Sequence, residues 1–266
     1  MLKEAMDLRE EGTELYALLQ KLEDRDWERA TPFKSWKISD VIAHLHISDW
    51  FAVLSLKTPD EFLKQAEVMG QSIQKGGDMA SFTREKFGPL KPVELLQRWH
   101  DYFMEMCDLL GKADPKLRLK WFGPDMGVRM FTTARQMETW AHAQDLYDLL
   151  QIKRTYTDRL KNVAVIGVKT FGWTFINRGL EVPPDVPFVR LAAPSGVTWE
   201  WGEPNERNCV QGLATDFCHV VTQGRNVADT GLRVVGDTAR RWMSIAQCFA
   251  GGPVDPPKPG ERRPNS

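Results

Sequence analysis

Apolar residues recur at helical spacing through the first two-thirds of the chain, and alternate in strand-like fashion only in the last third. The pattern predicts helices near residues 2–22, 39–56, 59–74, 92–110 and 133–150. Pro59 and Pro92 fall at helix starts, where the missing N–H would be unsatisfied anyway. Four of these helices are long enough to form a bundle. Between them, residues 112–132 carry Pro115, Gly123, Pro124 and Gly127 and read as a loop. This loop brings Trp121, Phe122 and Met126 to the start of the fifth helix, where such side chains either line a pocket or fold over the core.

Beyond residue 158 the composition changes. A helical stretch at 163–176 leads to Asn177-Arg178-Gly179 and a proline-rich segment at 182–187. Strand-like runs follow at 188–192 and 197–201, then a helix at 213–221, a short strand at 232–235 and an amphipathic helix at 239–249 that Gly251-Gly252-Pro253 ends. The expected architecture is an all-α four-helix bundle over residues 1–157, then a smaller α+β domain over 158–254. Residues 255–266, rich in Pro, Lys, Arg and Glu, are expected to be a disordered tail. There is no internal repeat.

The fifth helix carries the chemistry. Glu138 and His142 are four residues apart, so a carboxylate oxygen and an imidazole nitrogen can reach one point. Thr133 and Gln136 have capping-box spacing, and Met137, Trp140, Ala141 and Leu146 supply a buried face. An unpaired Glu on that face would be costly, so it needs a partner. Spacing alone leaves three readings open, a helix-surface pair, a hydrogen-bonded core pair and a pair of metal ligands. On the second helix His44 stands beside the face formed by Val41, Leu45 and Ser48 and offers a third donor. His46 points about 200° away from His44 and should not join it. Asp145 shares the face of Glu138 and His142 and is placed to hydrogen-bond a ligand or act as a base. Asp49, five residues past His44, is either a supporting acid or a solvent-exposed one.

These residues carry a resemblance. Trp36-x-x-x-Asp40-Val41-x-Ala43-His44-Leu45, with Glu138-x-x-x-His142-x-x-Asp145 downstream, resembles the N-terminal domain of mycothiol-dependent maleylpyruvate isomerases, a branch of the DinB/YfiT-like superfamily. The resemblance implies a DinB-like four-helix bundle in which His44, Glu138 and His142 bind a divalent metal, usually zinc. Over nearly the whole length, Trp121-Phe122-Gly123-Pro124, the 133–145 segment, Phe175-x-Asn177-Arg178-Gly179-Leu180 and the 216–223 segment are similar to an uncharacterised bacterial group of metal-binding proteins. The C-terminal part of that group is matched by a domain named for wyosine-base formation. The position of His46 is often apolar in these relatives, and Asp125 stands where Pro is expected.

Charge and cysteine usage narrow the class. The 266 residues carry a formal charge of −1, with acids and bases interleaved, so no basic stripe for nucleic acid is present. No apolar run is long enough to span a membrane, and the chain begins with an acidic amphipathic segment, so a cytoplasmic protein is expected. Cys107, Cys209, Cys218 and Cys248 lack metal or redox spacing and read as reduced core thiols. His100 and His219 have no partners at ligand spacing, and no phosphate loop, nucleophile elbow or serine triad is present.

Three protein ligands leave a coordination position open, as catalytic zinc requires; the same donors suit Mn, Fe, Co or Ni. The resemblance implies an isomerase or thiol transferase in which the metal activates a low-molecular-weight thiol such as mycothiol, bacillithiol or glutathione. The same ligands serve a metal-dependent hydrolase, hydratase or lyase acting on an acyl-type substrate. Arg178 and Arg225, with Arg135, are candidates for binding a substrate carboxylate or phosphate, although a single arginine more often ends in a surface salt bridge. A non-catalytic alternative gives the metal a structural role and the function to a C-terminal cleft lined by Trp173, Phe175, Trp199 and Trp201. The expected partner is a small molecule, not nucleic acid or membrane, with a homodimer as one possible assembly.

Overall fold

A computed structural model describes residues 1–77 and 79–262. The chain divides into two compact units, Met1–Leu149 and Leu150–Ser266. The first is all-α; the second mixes short helices with a small sheet.

In the first unit, α1 (Lys3–Leu19), α2 (Ile38–Lys57), α5 (Pro92–Lys112) and α6 (Val128–Leu150) are the long helices of the bundle, and α3 (Pro59–Gln74) and α4 (Met79–Phe87) are inserted between α2 and α5. Helix α5 buries Leu95, Leu96, Trp99, Phe103, Met106, Cys107 and Leu110, the stripe that packs on α1 and α2. Gly12 lets α1 come close: a Cβ there would sit 2.2 Å from the Phe103 ring. Helices α3 and α4 add Phe62, Met69 and Phe82 to Ile47 and Phe51 of α2 in a separate aromatic cluster. Helix α2 begins at Ile38, where the Asp40 carboxylate accepts from the Lys37 backbone N–H at 3.0 Å.

Three expectations need correction in this unit. Helix α4 falls in a segment left unassigned, because nine residues of mixed polarity show no clear period. Helix α6 starts at Val128 rather than Thr133, so Thr133 is a buried residue of its early turns and caps nothing. The 112–132 connection is also not all loop: β1 (Arg118–Leu119) pairs antiparallel with β2 (Met126–Gly127).

In the second unit, α7 (Lys161–Lys169) and α8 (Phe171–Ile176) precede a four-stranded sheet of order β4-β3-β5-β6. Its strands are β3 (Phe188–Ala192), β4 (Thr198–Trp201), β5 (Cys209–Leu213) and β6 (Arg233–Val235). Strand β3 pairs antiparallel with β4 and parallel with β5, and β5 pairs antiparallel with β6. Helix α9 (Ala214–Val221) packs on β3 and β5, and Trp242 of α10 (Asp237–Ile245) sets its ring edge-on to Phe171 and Phe217. The fold class is therefore a four-helix bundle followed by a smaller α+β domain.

Strand β5 was not anticipated, because Cys209-Val210-Gln211-Gly212-Leu213 has little strand character of its own and is held by neighbours on both sides. Residues 255–262, expected to be disordered, make specific hydrogen bonds instead. Asn226 Nδ2 donates to the Pro257 carbonyl at 2.8 Å, and the Gly260 N–H donates to Asp229 at 2.7 Å. Residues 263–266 of the expected tail lie outside the described residues. All four cysteines are buried and none forms a disulfide, and no described helix is long and apolar enough to cross a membrane.

Candidate metal centre

Helix α2 supplies His44, and α6 supplies Glu138 and His142 one turn apart. His44 Nε2 lies 3.5 Å and His142 Nε2 lies 3.7 Å from the same oxygen, Glu138 Oε2. One donor from each residue falls within 4.8 Å of the others, and this is the one group of three or more such donors found among the described residues. Donors about 2.0–2.1 Å from a tetrahedral zinc stand about 3.3 Å apart, so the two measured edges are within a few tenths of an ångström of a ligand set. Two imidazoles and a carboxylate suit zinc and its first-row neighbours. Glu138 keeps 24 % of its side chain exposed, so the site opens to solvent.

The electrostatics keep Glu138 and His44 unprotonated near neutrality. Burial alone would raise the Glu138 carboxyl, but the His44 contact and the nearby charges of His142 and Arg135 hold it down at about 2. Burial pushes His44 down to about 4, with Glu138 opposing and His142 and Arg135 assisting.

Beneath the three donors lies a second polar group. Arg135 Nε and Nη2 donate to Asp49 Oδ1 at 3.2 and 2.9 Å, and Trp99 Nε1 donates to Asp49 Oδ2 at 3.1 Å. Both charges are sealed off, Asp49 at 0 % and Arg135 at 2 % exposure, and burial pushes the Asp49 carboxyl up to about 6 despite its partners. The exposed alternative for Asp49 is thereby excluded, and both its oxygens are engaged with α5 and α6. Asp145 is buried on α6 with Oδ2 3.5 Å from His142 Nδ1.

The other expected site residues have neighbours of their own. Trp121 stacks over Phe62 at 6.1 Å and Phe122 packs edge-on to Phe51 at 4.9 Å, so both join the aromatic cluster of α2 and α3. Met126 is half-buried in β2 opposite Leu119. Arg178 and Arg225 belong to the second unit. Arg178 Nη1 donates to Asp255 at 2.8 Å, while Arg225 is buried and donates from Nη1 to the Gly224 carbonyl at 2.7 Å. A surface position, expected of a lone arginine, therefore does not hold for Arg225.

Sequence reasoning missed the rings that surround the donors. Phe33 meets His142 edge-on at 5.0 Å, and Trp36 lies 5.2 Å from His44 and 6.0 Å from His142, near-parallel to the latter. They flank a turn whose central residues, Lys34 (φ 51°) and Ser35 (φ 56°), are both left-handed, at a cost of about 1–2 kcal/mol each for non-glycine residues. Trp36 belongs to the motif that carried the family resemblance, and its position eight residues before His44 was the available signal.

A bundle with two histidines and a glutamate converging from two helices is a DinB-type architecture. The model of the mycothiol maleylpyruvate isomerase N-terminal domain matches residues 8–147, and the chain belongs to this family. An uncharacterised protein of Mycobacterium tuberculosis, from strains CDC 1551 / Oshkosh and ATCC 25618 / H37Rv, is 37 % identical over 248 residues, covering 93 % of this chain and 95 % of its own. Among solved structures, a mycothiol-dependent maleylpyruvate isomerase shares the fold with TM-score 0.51 at 13 % identity, covering 85 % of this chain and 89 % of that one. A histidine-to-alanine mutant of such an isomerase aligns with TM-score 0.52 at 13 % identity, over 82 % and 87 % of the two chains.

Proposed function

We propose that this chain is a cytoplasmic, divalent-metal-dependent enzyme that uses a low-molecular-weight thiol to isomerise or modify a small electrophilic substrate. The observation that carries this reading is the convergence of His44, Glu138 and His142 on one partly exposed point. Family membership supports it, and mycothiol with maleylpyruvate, the pair in the name of the structural neighbour, is the first combination to test.

A divalent ion held by the three donors would act as a Lewis acid, lowering the pKa of a bound thiol. Thiol addition to a conjugated double bond turns it into a single bond; rotation and expulsion of the same thiol return the isomer with no net redox change. Glu138 is ionised and His44 neutral near pH 7, so each has a free lone pair. Asp145 Oδ2 stands 3.5 Å from His142 Nδ1, and a closer approach would hold the proton there and leave Nε2 directed toward Glu138. The buried Asp49–Arg135 pair ties α2 to α6 and so fixes the helix carrying His44 against the helix carrying Glu138 and His142.

Elemental analysis of wild type and His142→Ala, each purified without added metal, tests the reading. About one equivalent of a divalent ion in the wild type, lost in the variant, supports it, and a maleylpyruvate assay with and without mycothiol then tests the reaction. Absence of metal from the wild type, even after dialysis against zinc or cobalt, sinks it.

A further inference from the structure

A histidine ligand presents its nitrogen in one direction, and usually a hydrogen bond from its other ring nitrogen sets that direction. Neither imidazole of this centre has one. His44 Nδ1 and His142 Nδ1 are buried without a hydrogen-bond partner among the described residues, and Asp145 stands 3.5 Å from the second without making that bond. Something else must orient the rings.

The aromatic packing supplies it. Phe33, Trp36, His44 and His142 form a closed group: Phe33 meets Trp36 edge-on at 5.1 Å and His142 at 5.0 Å, Trp36 packs on both imidazoles, and the imidazoles meet edge-on at 4.8 Å. The two non-histidine rings are carried by a tightly tied turn. The Trp36 N–H donates to the Phe33 carbonyl at 2.9 Å, the Thr31 N–H to the Trp36 carbonyl at 2.7 Å, and the Thr31 hydroxyl to the Phe33 carbonyl at 3.2 Å; Ala30 and Lys37 form a bridge at its base. Its two central positions are left-handed yet hold Lys34 and Ser35, which are exposed, where glycine or asparagine would be relaxed. Local strain of this kind persists when the surrounding structure over-determines it, and it concentrates at functional sites.

We infer that the 33–36 turn is a positioning element for the metal centre: its strained backbone clamps Trp36 and Phe33 against the imidazoles of His142 and His44 and does the orienting that hydrogen bonds do elsewhere. This rests on the metal reading above. Neither aromatic residue is a ligand, so the effect is on ring orientation, and it shows in metal geometry and exchange.

The test uses the full chain loaded with Co(II) for its visible spectrum and with Zn(II) for release to a chelator. Trp36→Leu is expected to alter the Co(II) bands and speed Zn(II) release at least tenfold at unchanged far-UV circular dichroism, with Trp36→Phe recovering most of the wild-type behaviour. The double variant Lys34→Gly, Ser35→Gly relaxes the turn without removing a ring. It is expected to release Zn(II) faster while its thermal midpoint stays level or rises, a combination that a purely structural turn would not give. Wild-type spectrum and release rate in both Trp36→Leu and the glycine double variant overturn the inference. If Trp36→Leu fails to fold, the double variant decides alone, and wild-type release from it is fatal. A wild type that binds neither ion removes the metal reading and this inference together, whereas intact binding with indifferent variants removes only the inference.

Discussion

His44 and His46 leave α2 two residues apart and meet opposite surroundings. His46 is buried and His44 partly so, and desolvation pushes each down to about 4. His44 faces Glu138 and His142. His46 stacks on Phe87 at 4.3 Å, meets Tyr102 edge-on at 5.6 Å, feels the positive charge of Arg98, and has no hydrogen-bond partner for either ring nitrogen among the described residues. Desolvation shifts the two imidazoles in the same direction, and what differs is the company. A carboxylate within reach of two imidazoles makes a ligand set; desolvation and a nearby guanidinium make a site that disfavours a cation.

The sharpest way to break this comparison is to remove each histidine in turn. His44→Ala should abolish stoichiometric metal binding, an effect larger than the roughly 10–100-fold that loss of an outer partner costs. His46→Phe should leave metal content and affinity at wild-type values. Elemental analysis and chelator competition on both variants check this; loss of metal in His46→Phe would show that the two faces are not independent.

The next effect concerns the ion pair that joins the His44 helix to the Glu138 helix. Asp49→Asn leaves the Arg135 guanidinium buried with no opposing charge, and urea denaturation should show a loss of about 3–5 kcal/mol. Replacing the pair together, Asp49→Leu with Arg135→Met, should recover most of it, because neither desolvated charge remains. A double variant as unstable as the single one would mean that shape rather than charge holds the helices.

The contrast between the two faces also marks what the sequence could and could not disclose. The bundle was legible because buried stripes such as that of α5 repeat at helical spacing and because Pro59 and Pro92 sit at helix starts. Glu138 and His142 were legible as an i, i+4 pair. His44 came from a motif, since nothing local shows that a residue 94 positions away will face it. The burial of Asp49 was hidden for the same reason, its partner Arg135 being 86 positions distant. The turn at Lys34 and Ser35 was illegible because its conformation contradicts local preference; propensity assigns left-handed turns to glycine and asparagine. Strand β5 and residues 255–262 owe their order to neighbours, through ladder pairing and side-chain hydrogen bonds that composition does not record.

A smaller effect concerns the response of His46 to pH. The folded value of His46, about 4, lies below the unfolded value of about 6.5, so the unfolded chain takes up the proton first. Its contribution to stability is therefore level above pH 6.5 and falls as pH drops toward 4, by about 2 kcal/mol at pH 5. His46→Phe keeps an aromatic ring against Phe87, removes two unpaired ring nitrogens and should flatten this part of the acid limb in pH-dependent urea unfolding. An unchanged limb would mean that His46 finds a proton acceptor on acidification.

The smallest expected effect concerns Asp145. Carboxylates behind ligand histidines usually hydrogen-bond the ring, and removing one costs about 10–100-fold in metal affinity. Here the approach to His142 Nδ1 is 3.5 Å without a hydrogen bond, and the aromatic rings already constrain the imidazole. Asp145→Asn should therefore weaken Zn(II) binding by about tenfold, the low end of that range, or about 1.4 kcal/mol. Chelator competition resolves a change of this size. A loss nearer a hundredfold would show that Asp145 closes on His142 when metal binds and shares the orienting role with Trp36. No loss at all would leave the ring to the aromatic turn alone, and the Asp145→Asn, Trp36→Leu double variant would then behave like Trp36→Leu.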